Sequence, residues 1–357
     1  MTDRALELLQ EFLRDTGKKT LCIADENLLG QVTQLQQHPQ LTLISNRWDI
    51  AKQAQNAGIN SHFSDMDFSH IEDASLEQIV YRVSKEKPLV NHVIREAFRV
   101  LALGGQLHIS GEKGDGTKTY IEKAGKLFGE KVPAQKNGSF YLGSVVKKQT
   151  QADAKALKAL DDKHYHELRE IGELAGQPLY SKPGQFGWNK LDRGSELLIE
   201  LADDYLSHLK VQPKSLLDLG CGYGYLTLNS LRWTSIERRT ATDNNAAALL
   251  SVSKNSQQHS APIQVISDDC GESITDTFDL ILCNPPFHQG FDVDGDLTTK
   301  FLKRMQSALN KGGVALVVVN LFIPLERKAK EFPKQSGFSK VDILENNGAF
   351  KVIALRR

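Results

Sequence analysis

The chain has only four cysteines in 357 residues, Cys22, Cys221, Cys270 and Cys283. They form no Cys-x-x-Cys pair and follow no regular spacing, which excludes a disulfide framework and a zinc ribbon. They read as small buried hydrophobes in a reducing compartment. No apolar run approaches the ~18 residues of a membrane-spanning helix. The opening MTDRALELLQEFLRDTGKK mixes charge with apolar residues and lacks the apolar core of a secretory signal. Neither sign of charge dominates, with 44 basic against 44 acidic side chains, so a phosphate-bearing partner would have to meet a local basic patch. HExxH, a His–Cys cluster and a carboxylate pair are all missing, and no metal is expected. GxxxxGK[ST] is missing too, so a triphosphate loop is unsupported. What remains is a cytoplasmic α/β protein with no membrane segment.

Apolar residues make up 40% and charged residues 25%, a globular composition, and the length suits two domains. An amphipathic helix is predicted over residues 5–14. Apolar runs follow at Leu21–Ala24, Leu41–Ile44, Gln78–Val83, Gln106–Ser110 and Ser139–Val146, spaced for the crossovers of a parallel sheet. Lys147–Gln177 is polar, with enough Leu and Ala for one short helix but no strand candidate, and reads as a connection. A loop punctuated by Pro183, Gly184, Gly187 and Gly194 leads into a helix starting near Ser195, with Glu196 in its first turn. A second series then gives seven strands: Ser215–Leu219, Thr240–Thr242, Gln264–Ile266, Phe278–Cys283, Val314–Val319, Val341–Asn346 and Phe350–Leu355. The last two are joined by an Asn347–Gly348 turn.

The halves echo each other. RVLALGGQLHISG at Arg99–Gly111 answers SALNKGGVALVVVN at Ser307–Asn320, LCIAD answers LLDLG, and EQIVYRV answers FDLILCN. The first half has ADENLLG where the second has DLGCGYG, and no counterpart of NPPF. If the halves share a fold, the first is the one that lost its ligand. The expected boundaries are 1–148 for a degenerate domain, 149–178 for a linker and 179–357 for the functional domain.

LLDLGCGYGYL at Leu216–Leu226 places Gly220, Gly222 and Gly224 where a strand ends and a helix begins, so a ligand can lie against bare backbone. Asp218 at the strand end can accept hydrogen bonds from an ammonium. Asp243 closes the next strand, where an acid would accept both hydroxyls of a ribose. At the third strand end, Asp268 or Asp269 could meet an adenine amino group; a solvated loop is the bland alternative. NPPFH at Asn284–His288 follows the fourth strand. Its prolines fix the backbone so that the Asn284 amide oxygen and the Pro285 carbonyl face one point, suiting an NH2 group that needs two acceptors, and Phe287 offers a ring to stack on a flat substrate. Such a site suits methyl transfer to nitrogen, in which positioning does most of the work and no strong base is needed. His288 positions backbone or phosphate more readily than it serves as a base.

DLGCGYG, Asp243, Ser267–Asp269 and NPPFHQG, in that order and spacing, resemble the class I S-adenosylmethionine-dependent methyltransferases. Members with Asn-Pro-Pro-aromatic methylate planar nitrogen. Within them the chain is most similar to the bacterial ribosomal RNA guanine-N2 group, over roughly residues 20–357 and most strongly from Pro183 onward. NLFIPL at Asn320–Leu325 favours the small-subunit branch. The resemblance implies two tandem Rossmann-like domains with seven-stranded, mostly parallel sheets, the N-terminal one degenerate. It implies S-adenosyl-L-methionine as cofactor and N2 of a guanosine in 16S ribosomal RNA as acceptor, at position 1207.

By the same resemblance, Asn284 and Pro285 hold the guanine amine and Phe287 stacks on the base. Asp218, Gly220, Gly222, Gly224, Asp243, Asp268, Asp269 and Asn284 line the cofactor site, with Asp269 at the adenine amine in preference to Asp268. In Pro183–Leu198, Phe186, Asp192, Gly194 and Ser195 match the family's loop between cofactor and target base. Phe186, Gly194, Phe287 and His288 are the substrate-side residues. Lys182, Lys190, Arg193, Arg327, Lys328, Lys330, Arg356 and Arg357 are the cations available for RNA. The expected partner is 16S ribosomal RNA in the 30S subunit or an assembly intermediate, met by a monomer. The alternatives are a 23S guanine-N2 enzyme, a DNA-adenine or protein-glutamine N-methyltransferase, and an RNA-binding assembly factor without turnover.

Overall fold

The computed structural model describes residues 3–32, 35, 37–286, 295–332 and 337–357. They form two compact units, Met1–Glu167 and Leu168–Arg357, each built on one seven-stranded sheet. The first sheet comprises β1 (Thr20–Ala24), β2 (Leu41–Ser45), β3 (Asn60–Phe63), β4 (Leu76–Arg82), β5 (Leu101–Glu112), β6 (Gln135–Asn137) and β7 (Phe140–Val146). A hairpin of β8 (Arg169–Leu174) and β9 (Gln177–Ser181) opens the second unit. Its sheet comprises β10 (Ser215–Leu219), β11 (Arg238–Asp243), β12 (Ile263–Ser267), β13 (Phe278–Cys283), β14 (Leu309–Asn320), β15 (Lys340–Asn346) and β16 (Phe350–Arg356). The orders are β3-β2-β1-β4-β5-β7-β6 and β12-β11-β10-β13-β14-β16-β15. In each sheet the first five strands run parallel, and a single strand, β7 or β16, runs antiparallel to both of its neighbours. Strand order reverses between β1 and β4, and between β10 and β13. A ligand crevice opens at the carboxyl ends of strands at such a point.

The central strands are continuous apolar runs because both faces of each sheet are covered. Leu21 and Ile23 of β1 join one core and Cys22 and Ala24 the other; Leu217 and Leu219 of β10 join one and Leu216 the other. All four cysteines are buried and free. Among the described residues no helix is long and apolar enough to cross a membrane, and no three His, Cys, Asp or Glu side chains group as metal ligands.

Several elements differ from expectation. The N-terminal helix is two short pieces, Arg4–Glu7 and Gln10–Leu13. β3 and β6 are edge strands of sequence NSHF and QKN, largely without buried apolar residues and so without a periodic signal. The connecting stretch holds the expected short helix, Ala154–Ala159, but also β8, where no strand was expected. Its hairpin turn places Ala175 and Gly176 both at positive φ, 52° and 75°, the backbone of a type I′ turn, and only the glycine signals it in sequence.

The echo between halves is structural. Gly104 and Gly312 sit at φ 85° and 84°, and a Cβ on the following Gly105 or Gly313 would meet a backbone oxygen at 2.9 or 3.0 Å. The same bulge thus demands the same Gly–Gly pair twice. The paired registers superpose Thr20 on Leu216, Ser45 on Asp243 and Arg82 on Asn284. Ser64 donates to the Ser45 carbonyl as Asp268 does to that of Asp243, at 2.9 and 3.0 Å. Met66 and Cys270, two residues on, both have positive φ. Asp65 therefore holds the place of Asp269, and in the first unit the buried Tyr165 hydroxyl donates to it at 2.7 Å. The Tyr165 ring stacks on His92 at 5.1 Å. Where the second unit leaves Asp269 partly exposed, the first covers the equivalent acid with its own phenol. Tyr165→Ala is expected to destabilise the first unit by about 3–5 kcal/mol, and Tyr165→Phe by about 1 kcal/mol. Denaturant unfolding of both variants measures this.

Candidate active site

β10 ends in a cradle. Gly220 and Gly222 have φ of 79° and 54°. Among the described residues, a Cβ on Gly220 would meet nothing nearer than the Phe301 ring at 3.9 Å, and one on Gly222 nothing nearer than Gln185 Oε1 at 3.9 Å. The backbone there faces open space that a side chain would fill. Gly224 has another reason: its φ is 89°, and a Cβ would strike Val252 at 2.6 Å, so it lets helix Ala246–Gln258 pack close. Asp243 braces the cradle, one oxygen accepting from Gly222 N and the other from Asn245 N, both at 2.9 Å.

Asp218 is fully buried, and its Oδ2 accepts from the amide and hydroxyl of Thr227, at 3.0 and 2.5 Å. Its Oδ1 has no hydrogen-bond partner among the described residues. Burial above all, with the nearby Asp243 charge adding to it, pushes its carboxyl up to about 7. Because the fold favours the protonated form, the stability this group contributes is full below about pH 4 and lost as pH rises through about 7. Between pH 5 and pH 8, wild type should lose roughly 1–3 kcal/mol relative to Asp218→Asn, measured by denaturant unfolding at each pH.

The two acids after β12 are held differently. Asp268 is buried and its Oδ2 accepts from Ser273 N at 2.8 Å and from the Ser273 hydroxyl, so it ties down the loop. Asp269 is partly exposed and pairs with Lys300, which also reaches Glu272 at 3.1 Å. Of the two, Asp269 lies on the accessible side.

Asn284 follows β13 with Pro285 buried and Pro286 exposed. Its Nδ2 donates to Asp192 Oδ2 at 2.7 Å and to Ser195 Oγ at 2.9 Å. Asp192 is the N-cap of helix Arg193–Ser207, accepting also from Ser195 N at 2.8 Å. Gly194 keeps this corner tight, since a Cβ would press on Asp192 Oδ2 at 3.1 Å and on the Phe350 ring at 3.3 Å. The sequence pattern marks Asp192 and Ser195 as members of the entry loop; their grip on Asn284 comes from the fold. Phe287 and His288 lie outside the described residues.

The entry loop is stapled to the glycine side. Asn245 Nδ2 donates to the Gly184 carbonyl at 2.7 Å, and Asn255 clasps the Tyr180 backbone at 2.7 and 2.8 Å. Gln185, which sequence reasoning passed over, is buried with Nε2 on Ser251 Oγ at 2.6 Å and Ser181 Oγ at 3.1 Å. Its Oε1 has no partner among the described residues. Phe186 stands 68% exposed at the rim and Phe322, after β14, 65% exposed.

The cations expected to meet RNA divide. Lys190, Arg193, Arg327 and Lys330 are exposed. Lys182 is not a surface contact: it is 1% exposed and burial pushes its amine down to about 7. Arg356 bonds Tyr205 Oη at 2.8 Å, and Arg357 reaches the Leu309 and Ser307 carbonyls. Leu309 begins β14, so the last two arginines sit at the end of the sheet away from the crevice.

Residues 177–354 match the family model described as Methyltransferase small domain. The chain is 28% identical to Ribosomal RNA small subunit methyltransferase C of Haemophilus influenzae strain Rd, over 82% of this chain and 83% of that one. It is also 28% identical to the protein of that name from Shewanella loihica, over 89% and 87%. Its fold matches the T. thermophilus 16S rRNA N2 methyltransferase of position 1207, solved with AdoMet and guanosine, at a TM-score of 0.82. That match has 22% identity and covers 99% of this chain and 92% of that one. With the cradle and the capped turn lying within them, residues 177–354 belong to the methyltransferase small domain family.

Proposed function

We propose that the chain transfers a methyl group from S-adenosyl-L-methionine to N2 of a guanosine in 16S ribosomal RNA, at the position numbered 1207 in the T. thermophilus relative's description. The observation that carries this reading is Asn284: both donors of its amide are engaged by Asp192 and Ser195, which leaves Oδ1 as an acceptor at the carboxyl end of β13, beside the glycine cradle.

The site fits the cofactor on its own terms. Among the described residues, Gly220 and Gly222 face open space, and Asp218 Oδ1 and Gln185 Oε1 are buried without partners, which a ligand can supply. Asp243 would hold the ribose, Asp269 the adenine amine, and Asp218 with the glycine backbone the remainder. When bound, S-adenosylmethionine supplies an electrophilic methyl on a sulfonium centre. The chain's own contribution is placement: Asn284 Oδ1 and the Pro285 carbonyl accept the two N–H bonds of the guanine amine. Its lone pair, otherwise drawn into the ring, is thereby held towards the incoming carbon. No side chain need remove a proton before transfer, because the product amine sheds it afterwards. Phe287 stacks on the base, with Phe186, Gly194 and His288 on the substrate side, and Lys190 and Arg193 stand where the RNA backbone would pass. The protein meets its RNA as a cytoplasmic monomer, in the 30S subunit or an assembly intermediate.

Incubation with methyl-labelled S-adenosylmethionine and 30S subunits, free 16S RNA or 23S RNA, followed by nucleotide-resolution mapping, tests this. Label in a single 16S guanosine as N2-methylguanosine is expected. Label confined to 23S RNA, duplex DNA or a protein glutamine would overturn the assignment.

A further inference from the structure

We infer that Asp192 is a positioning residue for methyl transfer: with Ser195 it fixes which way the Asn284 amide faces, so that the oxygen and not the NH2 meets the acceptor amine. The inference deepens the reading above and rests on it.

An asparagine amide has two ends of nearly equal size and opposite hydrogen-bonding character. At a site that must accept from an NH2 group, the wrong end would present a donor to a donor. Rotation of the amide by half a turn therefore switches the site from productive to repulsive, and something must choose. A carboxylate only accepts, so the Asn284 atom 2.7 Å from Asp192 Oδ2 is the amide nitrogen. The Ser195 hydroxyl takes its second hydrogen at 2.9 Å. Both donors are thus spent on one side, and Oδ1 is turned to the other. The same Asp192 oxygen also receives Ser195 N at 2.8 Å, so the helix start anchors the carboxylate while the carboxylate anchors Asn284. Gly194 admits this arrangement by having no Cβ to push Asp192 aside.

The first unit supplies the contrast. The place of Asn284 is taken there by Arg82, a donor-only group paired with Asp3 and Asp115 at 3.2 and 3.1 Å. At that position the acids hold a donor, and the side chain there is neither an amide to orient nor an acceptor.

The test separates capping from orientation. One Asp192 oxygen takes both Asn284 Nδ2 and Ser195 N, so an Asp192→Asn side chain that turns its NH2 there loses the cap and the bias on Asn284 together, and the double variant with Asn284→Asp is what tells the two apart. The kcat of Asp192→Asn on 16S RNA is expected to fall about ten- to a hundredfold, with KM for RNA and cofactor affinity within about threefold of wild type. Ser195→Ala should give a smaller loss in kcat alone. Asn284→Asp puts two carboxylates against each other and should be nearly inactive. Adding Asp192→Asn to it restores a donor–acceptor pair of reversed polarity, and the double variant should exceed Asn284→Asp by at least about tenfold. A merely structural role would give no such recovery.

A readout independent of turnover is the Asn284 side-chain NH2 pair in nitrogen-15 spectra, identified by its disappearance in Asn284→Asp. It should be slow to exchange with solvent in wild type and fast in Asp192→Asn. Wild-type kcat in Asp192→Asn, no recovery in the double variant, or an unchanged NH2 signal would each overturn the inference. If the signal behaves as expected but wild type does not methylate 16S RNA, it is the substrate assignment that fails, and the orientation stands.

Discussion

Asn284→Ala lowers methyl transfer to 16S RNA by about a hundredfold to a thousandfold and leaves cofactor affinity within about threefold. On the proposed reading the variant removes an acceptor whose value lies in the transition state, when the amine nitrogen leaves the plane of the ring and its N–H bonds become stronger donors. The variant retains the Pro285 carbonyl, so part of the proposed acceptor pair survives and the loss is not total. Asp192 and Ser195 lose their shared partner, but both remain tied to the helix start, so the fold around the cradle persists. Single-turnover kinetics with saturating RNA, beside calorimetric titration of the cofactor, separates the two effects. Equal losses in rate and cofactor affinity would place Asn284 in ligand binding alone.

Asp243→Ala acts on the other half of the site. In wild type its two oxygens hold Gly222 N and Asn245 N, so alanine frees the glycine turn from the next helix and, on the proposed reading, removes the acceptors for the ribose. Two charge-assisted bonds at about 1.5–3 kcal/mol each put the loss in cofactor affinity at roughly a hundredfold or more. Asp243→Asn, which can still accept at one oxygen, should lose less. Calorimetric titration with S-adenosylmethionine checks both, and affinity within a few-fold of wild type in Asp243→Ala would remove Asp243 from the cofactor site.

Much of this was legible in the sequence because burial writes itself into composition. Parallel strands covered on both faces appear as short uninterrupted apolar runs, and β10 and β13 were placed with the bounds the structure gives them. The Gly–Gly bulges and the glycine cradle were legible because only glycine tolerates those backbone angles or close approaches. The polar edges β3 and β6 were not, since an edge strand needs backbone pairing but no apolar pattern. β8 escaped for a related reason, its REIGEL having no fully buried residue.

At the site, residue type was readable but partner was not. Asp218 looked like an open acceptor and is buried against Thr227 with one oxygen left over. Lys182 looked like a surface cation and is buried. The contact between Asn284 and Asp192 joins residues 92 positions apart; no spacing rule encodes it, though both belong to motifs that could be singled out.

The most direct test is a crystal structure of the protein with S-adenosylhomocysteine and guanosine. The account predicts the guanine amine within hydrogen-bond distance of Asn284 Oδ1 and the Pro285 carbonyl, with Asn284 Nδ2 still on Asp192. Guanosine seated away from this turn, or an Asn284 amide turned with its nitrogen towards the base, would contradict it.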